Sequence, residues 1–132
     1  MSQTVLIRPL PHSTPARASV FYLTDNEKKI DEGPTSQDSE LKVYIRKTIK
    51  RELDLGNRHF LLDLSPVEWI DSTYVGIILS WHQQVEREDG EFVLVSLSDR
   101  SKEIMRVAKL DHVLNVFDTP AQAQKYFAKK SS

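Results

Sequence analysis

The chain contains no cysteine, which excludes disulfides, thiolate nucleophiles and thiolate-held metals. Glycine occurs only 4 times in 132 residues, too rarely for loops that cradle phosphates with clustered glycines. Neither G-x-G-x-x-G nor G-x-x-x-x-G-K-[ST] is present, and H-E-x-x-H is missing as well. No apolar run approaches the ~20 residues that a bilayer-spanning helix needs. An excess of one charge is also lacking: Lys plus Arg is 18, Asp plus Glu is 19, and the formal net charge is -1. No basic field exists to hold nucleic acid or an anionic membrane. The start, MSQTVLIRPL, has neither the charged opening nor the apolar centre of a secretory signal. The expectation is a cytoplasmic protein with no membrane insertion, no direct nucleic-acid contact and no cofactor.

What is present suits one α/β domain over residues 1–132. Hydrophobic residues make up 39% and charged residues 28%, enough apolar material for a core and inconsistent with wholesale disorder. Thr4–Arg8 and Ala18–Thr24 have the β-branched and apolar content of strands. Between them, prolines at 9, 11 and 15 predict a loop over 9–17. Residues 25–37 are polar, include Gly33-Pro34, and predict a second surface loop. Leu41, Ile45, Ile49 and Leu53 recur at four-residue spacing and predict a helix over 38–53. Gly56-Asn57 just beyond it is where a left-handed cap belongs.

Three strand-helix units follow. Phe60–Leu64 and Phe92–Leu97 are short apolar runs of the buried-strand type, and Asp89-Gly90 marks the turn between their units. Val75, Ile78, Leu79, His82 and Val85 form the stripe of an amphipathic helix opening near Asp71-Ser72-Thr73. Ser98-Asp99 caps the next helix, with Ile104, Met105 and Ala108 facing inward. Val113–Phe117 supplies a last strand, and Thr119-Pro120 starts a final helix before a tail at 129–132. Helical crossovers return strands parallel and right-handed. The pattern therefore predicts a mixed, mostly parallel sheet of about five strands, with one antiparallel member near the start, covered by about four helices.

Catalytic constellations fail one by one. His12, His59, His82 and His112 lie in unrelated segments without ligand spacing, so no metal site is expected. Ser72 stands at a strand-to-helix junction, as hydrolase nucleophiles do, but bulky neighbours replace the glycines of G-x-S-x-G. The adjacent Asp71 is too acidic to act as its base at neutral pH. Asp63-Leu64-Ser65 supplies too few oxygens for a hard cation. What remains is an exposed hydroxyl pair, Ser72 and Thr73, beside a carboxylate at a helix mouth, where negative charge is favoured. Read locally, Asp71-Ser72-Thr73 is also an ordinary helix cap.

The residues Leu62-Asp63-Leu64-Ser65, Val67-Glu68-Trp69-Ile70-Asp71-Ser72-Thr73 and Gly76 resemble the STAS family, in particular bacterial anti-sigma factor antagonists. Those share a strand ending in D-L-S, a short apolar segment and D-S-[ST]-G-L-G at a helix start. The resemblance runs from Phe60 to Phe127, and over the first sixty residues it holds only in element order. It implies a non-catalytic partner switch in which the unmodified protein binds an anti-sigma factor that is also a serine kinase. Phosphorylation of Ser72, with Thr73 as second choice, ends that binding, and a serine phosphatase restores it. Asp71 corresponds to the acidic neighbour, orienting either the loop or the acceptor hydroxyl, and Gly76 to the last glycine of the motif. Tyr74 and Val75 depart from the family's Gly-Leu.

The expected contact face is Asp71, Ser72, Thr73, Tyr74 and Gly76, with Ile77, Trp81 and Gln84 off the inward stripe of the helix. Trp81 has a second reading as core. Two alternatives stay open: a non-switching STAS module, either a signalling scaffold or a transport subunit, and a small-molecule or nucleotide sensor. A homodimer is compatible with each of these readings, the partner switch included.

Overall fold

A computed structural model of the chain describes residues 3–9, 17–23, 28–34 and 38–131. The elements, in order, are β1 (Thr4–Pro9), β2 (Arg17–Tyr22), β3 (Lys28–Pro34), α1 (Asp38–Asp54), β4 (His59–Asp63), α2 (Ser72–Glu86), β5 (Glu91–Val95), α3 (Asp99–Val107), β6 (Asn115–Phe117) and α4 (Pro120–Ser131). They form one sheet of order β3-β2-β1-β4-β5-β6. β1, β4, β5 and β6 are joined by parallel pairings, whereas β2 pairs antiparallel with both β1 and β3. β2 is thus the one described strand that runs against the rest.

The alternation of side chains across each strand divides the core into two layers. Val5, Ile7, Phe60, Leu62, Phe92 and Leu94 point to one face, where Ile45 and Ile49 of α1, Ile78, Trp81 and Val85 of α2, and Met105 of α3 cover them. Leu6, Leu61, Val93 and Val95 point to the other, under Ala123 and Phe127 of α4. Successive right-handed crossovers that step along the sheet in one direction keep their helices on one side. The chain reaches the second side only after the edge strand β6.

Turn chemistry holds the elements in place. Gly56 takes the left-handed conformation, φ 95°, just past α1, as a C-cap there requires. At the turn into β5, a Cβ on Gly90 would lie 2.8 Å from the carbonyl oxygen of Arg58, too close for any residue but glycine. Under α1, the buried carboxylate of Glu52 accepts from Asn57 Nδ2 at 2.9 Å, and Asn57 Oδ1 takes the Gln3 amide at 2.7 Å. These bonds tie the end of α1 to the start of β1.

The architecture is the expected one, with four local corrections. Residues 28–34, expected within a loop, form strand β3, because the chain turns back to pair with β2 in register from Tyr22↔Lys28 to Arg17↔Pro34. The expected tail does not begin at 129, since α4 continues to Ser131. The last strand is shorter than Val113–Phe117, and only Asn115–Phe117 pair with β5. Of the loop expected over 9–17, Pro9 belongs to β1 and Arg17 to β2; residues 10–16 lie outside the described residues.

Candidate functional site

The candidate site forms where β4 gives way to α2 at the carboxyl edge of the sheet. Ser65-Pro66 cannot extend the ladder, and the chain turns with Val67 N–H donating to the Leu64 carbonyl at 2.9 Å. Asp63 is buried, and both its oxygens have partners: Arg8 Nε at 2.8 Å and the Ser65 amide at 2.9 Å. Its role is to lock the strand end. That use leaves it unsuited to holding a metal.

Asp71 stops short of the helix in an extended conformation, φ -97° and ψ 178°, and its carboxylate accepts the Tyr74 amide at 2.7 Å. Its own carbonyl accepts the Val75 amide at 3.0 Å. This is an N-cap, as the local reading of Asp71-Ser72-Thr73 has it. Ser72 and Thr73 thereby become the first two residues of α2, both exposed. Their hydroxyls make no hydrogen bond to any other described residue. Their amides belong to the first turn, whose donors the helix itself cannot use. A free hydroxyl at the positive end of a 15-residue helix is what an anionic modification would find least disruptive.

The loop ahead of this cap is pinned by α3, a constraint that sequence reasoning missed. Ser98 caps α3, accepting the Ser101 amide at 3.1 Å, and its hydroxyl donates to the Glu68 carbonyl. Ser101 is buried, and its hydroxyl accepts the Ile70 amide at 3.2 Å. The S-D-R-S spacing announces the cap of α3; its second duty, across 31 residues of sequence, carries no local signal. Next to these anchors, Trp69 stands 43% exposed with the Arg100 guanidinium carbon 4.6 Å from its ring centroid.

The remaining predicted contact residues divide. Gly76 is exposed, and a Cβ built there would meet nothing within 4 Å, so packing does not require the glycine. The Tyr74 ring meets Trp81 edge-on, with centroids 6.5 Å apart. Ile77 is half-buried against the main core. Trp81 is core, only 1% exposed, because three residues from Ile78 and four from Val85 place it on their stripe. It is removed from the contact face. Gln84 is committed to the helix pair, its Nε2 donating to the Arg46 carbonyl at 2.8 Å. It lies twelve residues from Ser72, about 18 Å along the helix.

Other chemistry finds little support among the described residues. No group of three or more His, Asp or Glu could hold a metal ion. His82 lies 3.3 Å from Glu86, and His59 stacks on Phe127. One groove of about 460 Å³, lined by residues including Lys50, Arg58, Gln84 and Arg87, runs between α1 and α2. It sits at the far end of α2, away from the strand ends where a nucleotide sensor would bind. No described helix is long and apolar enough to cross a membrane.

Comparison with known proteins agrees with this geometry. The family model of the STAS domain matches residues 38–123. Among curated relatives, a Thermotoga neapolitana protein is 35% identical over 71 residues, 54% of this chain and 63% of the relative. A Thermotoga maritima protein is 30% identical over 78 residues, 59% of this chain and 69% of the relative. Both carry the provisional name anti-sigma factor antagonist. The match thus spans slightly under two thirds of the first relative's length. A crystal structure of such a protein from Thermotoga maritima superposes with a TM-score of 0.58 at 28% identity, covering 66% of this chain and 75% of that one. A STAS-domain protein from Planctomyces limnophilus, 22% identical, superposes at 0.56 over 69% of this chain and 79% of its own, a likeness of fold.

Proposed function

The chain belongs to the STAS-domain family, and on that premise we propose that it is a non-catalytic anti-sigma factor antagonist switched by phosphorylation of Ser72. The observation that carries this reading is the state of Ser72, an exposed hydroxyl at the first position of a capped helix with no structural duty. Unmodified, the face around Ser72, Thr73 and Gly76 docks on an anti-sigma factor that is also a serine kinase, which frees the sigma factor. Transfer of a phosphoryl group to Ser72 ends the complex, and a serine phosphatase restores it.

Electrostatics make such a switch feasible. Phosphoserine adds about -1.5 to -2 charges and three acceptor oxygens. The fold tolerates that charge, because the α2 dipole and the two free first-turn amides favour an anion by roughly 0.3–1 kcal/mol. At a docked interface the same charge is desolvated or faces like charge, at a cost of several kcal/mol. About 5.5 kcal/mol moves a balance from 1:99 to 99:1. One phosphate can thus end binding while the domain stays folded.

Gly76 supports the same reading. Glycine inside a helix costs roughly 1 kcal/mol relative to alanine, and the space above it is open. Absence of a side chain one turn beyond Ser72 leaves a flat place for a partner backbone. Incubating the chain with its anti-sigma factor kinase and ATP is expected to add about 80 Da, one phosphoryl group, at Ser72. Ser72→Ala should abolish the addition. Phosphate appearing elsewhere, or none at all, would refute the switch.

A further inference from the structure

We infer that the Trp69–Arg100 stack is a second anchor for the anti-sigma factor, with Arg100 receiving a partner carboxylate while the Trp69 ring is covered. The inference rests on the Ser72 face being the partner site and adds the chemistry that the partner must present there. Among the described residues, Val43, Leu55, Val107 and Val113 are the other large hydrophobic residues left exposed. Trp69 alone among them is aromatic and carries a cation on its ring. A surface tryptophan can be the accident of a loose loop, but this loop is fixed. The Glu68 carbonyl is held by Ser98 and the Ile70 amide by Ser101, on either side of Trp69.

Arg100 is equally prepared. Its guanidinium lies over the ring, and no carboxylate among the described residues pairs with it. A stacked guanidinium keeps its fork of donors and loses less freedom when a carboxylate arrives. Trp and Arg are also the residue types most enriched at the energetic centres of protein interfaces.

Chain length keeps Trp69 close to Ser72. Trp69 lies three positions before Ser72, so their Cα atoms are at most about 11 Å apart. A standard interface covers about 800 Å² per partner, a patch roughly 30 Å across. A partner centred on Ser72 therefore reaches Trp69.

The test is isothermal titration of the purified anti-sigma factor against the full chain and four variants. Arg100→Glu and Trp69→Ala should each weaken binding about tenfold or more, with Trp69→Phe intermediate. Lys125→Glu, an exposed charge reversal on α4 across the sheet, should bind like the unmodified chain. Far-UV circular dichroism should be the same for all. Tryptophan emission gives a second readout: of the two tryptophans in this chain Trp81 is buried already, so a shift from this chain on docking reports Trp69. If Arg100→Glu and Trp69→Ala bind as tightly as Lys125→Glu, the anchor is refuted while the Ser72 reading survives. If the unmodified chain forms no complex, the Ser72 reading fails and the anchor falls with it.

Discussion

Asp71 holds the start of α2, and that structural duty can be separated from any effect of its charge on Ser72. Its carboxylate caps α2 through the Tyr74 amide. Asp71→Ala should therefore cost about 1 kcal/mol of stability, measurable by urea denaturation. Asp71→Asn keeps a good cap and should be nearly neutral for folding. Any change in Ser72 phosphorylation by Asp71→Asn then reports the charge and not the cap. Gly76→Ala should act oppositely on fold and function. It should raise stability by roughly 0.5–1 kcal/mol and weaken the partner complex; unchanged binding would show that the bare surface is not used. His59 gives a pH signature. Its burial against Phe127 lowers its pKa below 6.5, with Glu91 pulling the other way. The unfolded chain then binds more protons than the folded one, so His59 favours folding above about pH 6.5 and loses that contribution as pH falls below it. The stability difference between the protein and His59→Gln should shrink on acidification through this window, and a constant difference would refute the assignment.

At the scale of elements, the strand-helix-strand order was readable because each piece carries its own signal. Phe60–Leu64 and Phe92–Leu97 are apolar runs, Asp71-Ser72-Thr73 is a cap, and Thr119-Pro120 is a helix start. The positions of Ser72, Thr73 and Gly76 on an exposed helix mouth followed from those signals. Strand β3 was not readable, because KKIDEGP lacks apolar alternation and owes its conformation to pairing with β2. Trp81 was misplaced for a different reason: charting the stripe through Leu79 and His82 rotated the helix away from the Ile78–Trp81–Val85 line. The link between the motif loop and α3 was invisible, since hydrogen bonds across 30 residues leave no local pattern. That link makes a prediction. Ser101→Ala should raise amide exchange at Ile70 and its neighbours while the amides of β4 and β5 stay protected. Uniform loosening, or none, would mean that Ser101 does not hold the loop.

For the molecule as a whole, the division of labour follows from topology. The helices α1, α2 and α3 cover one face of the sheet and α4 the other, and the loops at the carboxyl edge present Ser72 and Trp69 on a rigid base. A scaffold of this kind can carry a large change of charge at its rim without a change of shape. Phosphate on Ser72 is therefore expected to control association and leave the fold alone. This is tested most directly by preparing the chain with Ser72 fully phosphorylated and titrating it, beside the unmodified chain, against the anti-sigma factor, with thermal melts of both. Phosphorylation is expected to weaken binding by about 100-fold or more, corresponding to several kcal/mol of like-charge cost, with closely similar melting temperatures. Equal affinities, or a phosphorylated chain that has lost its cooperative melt, would contradict it.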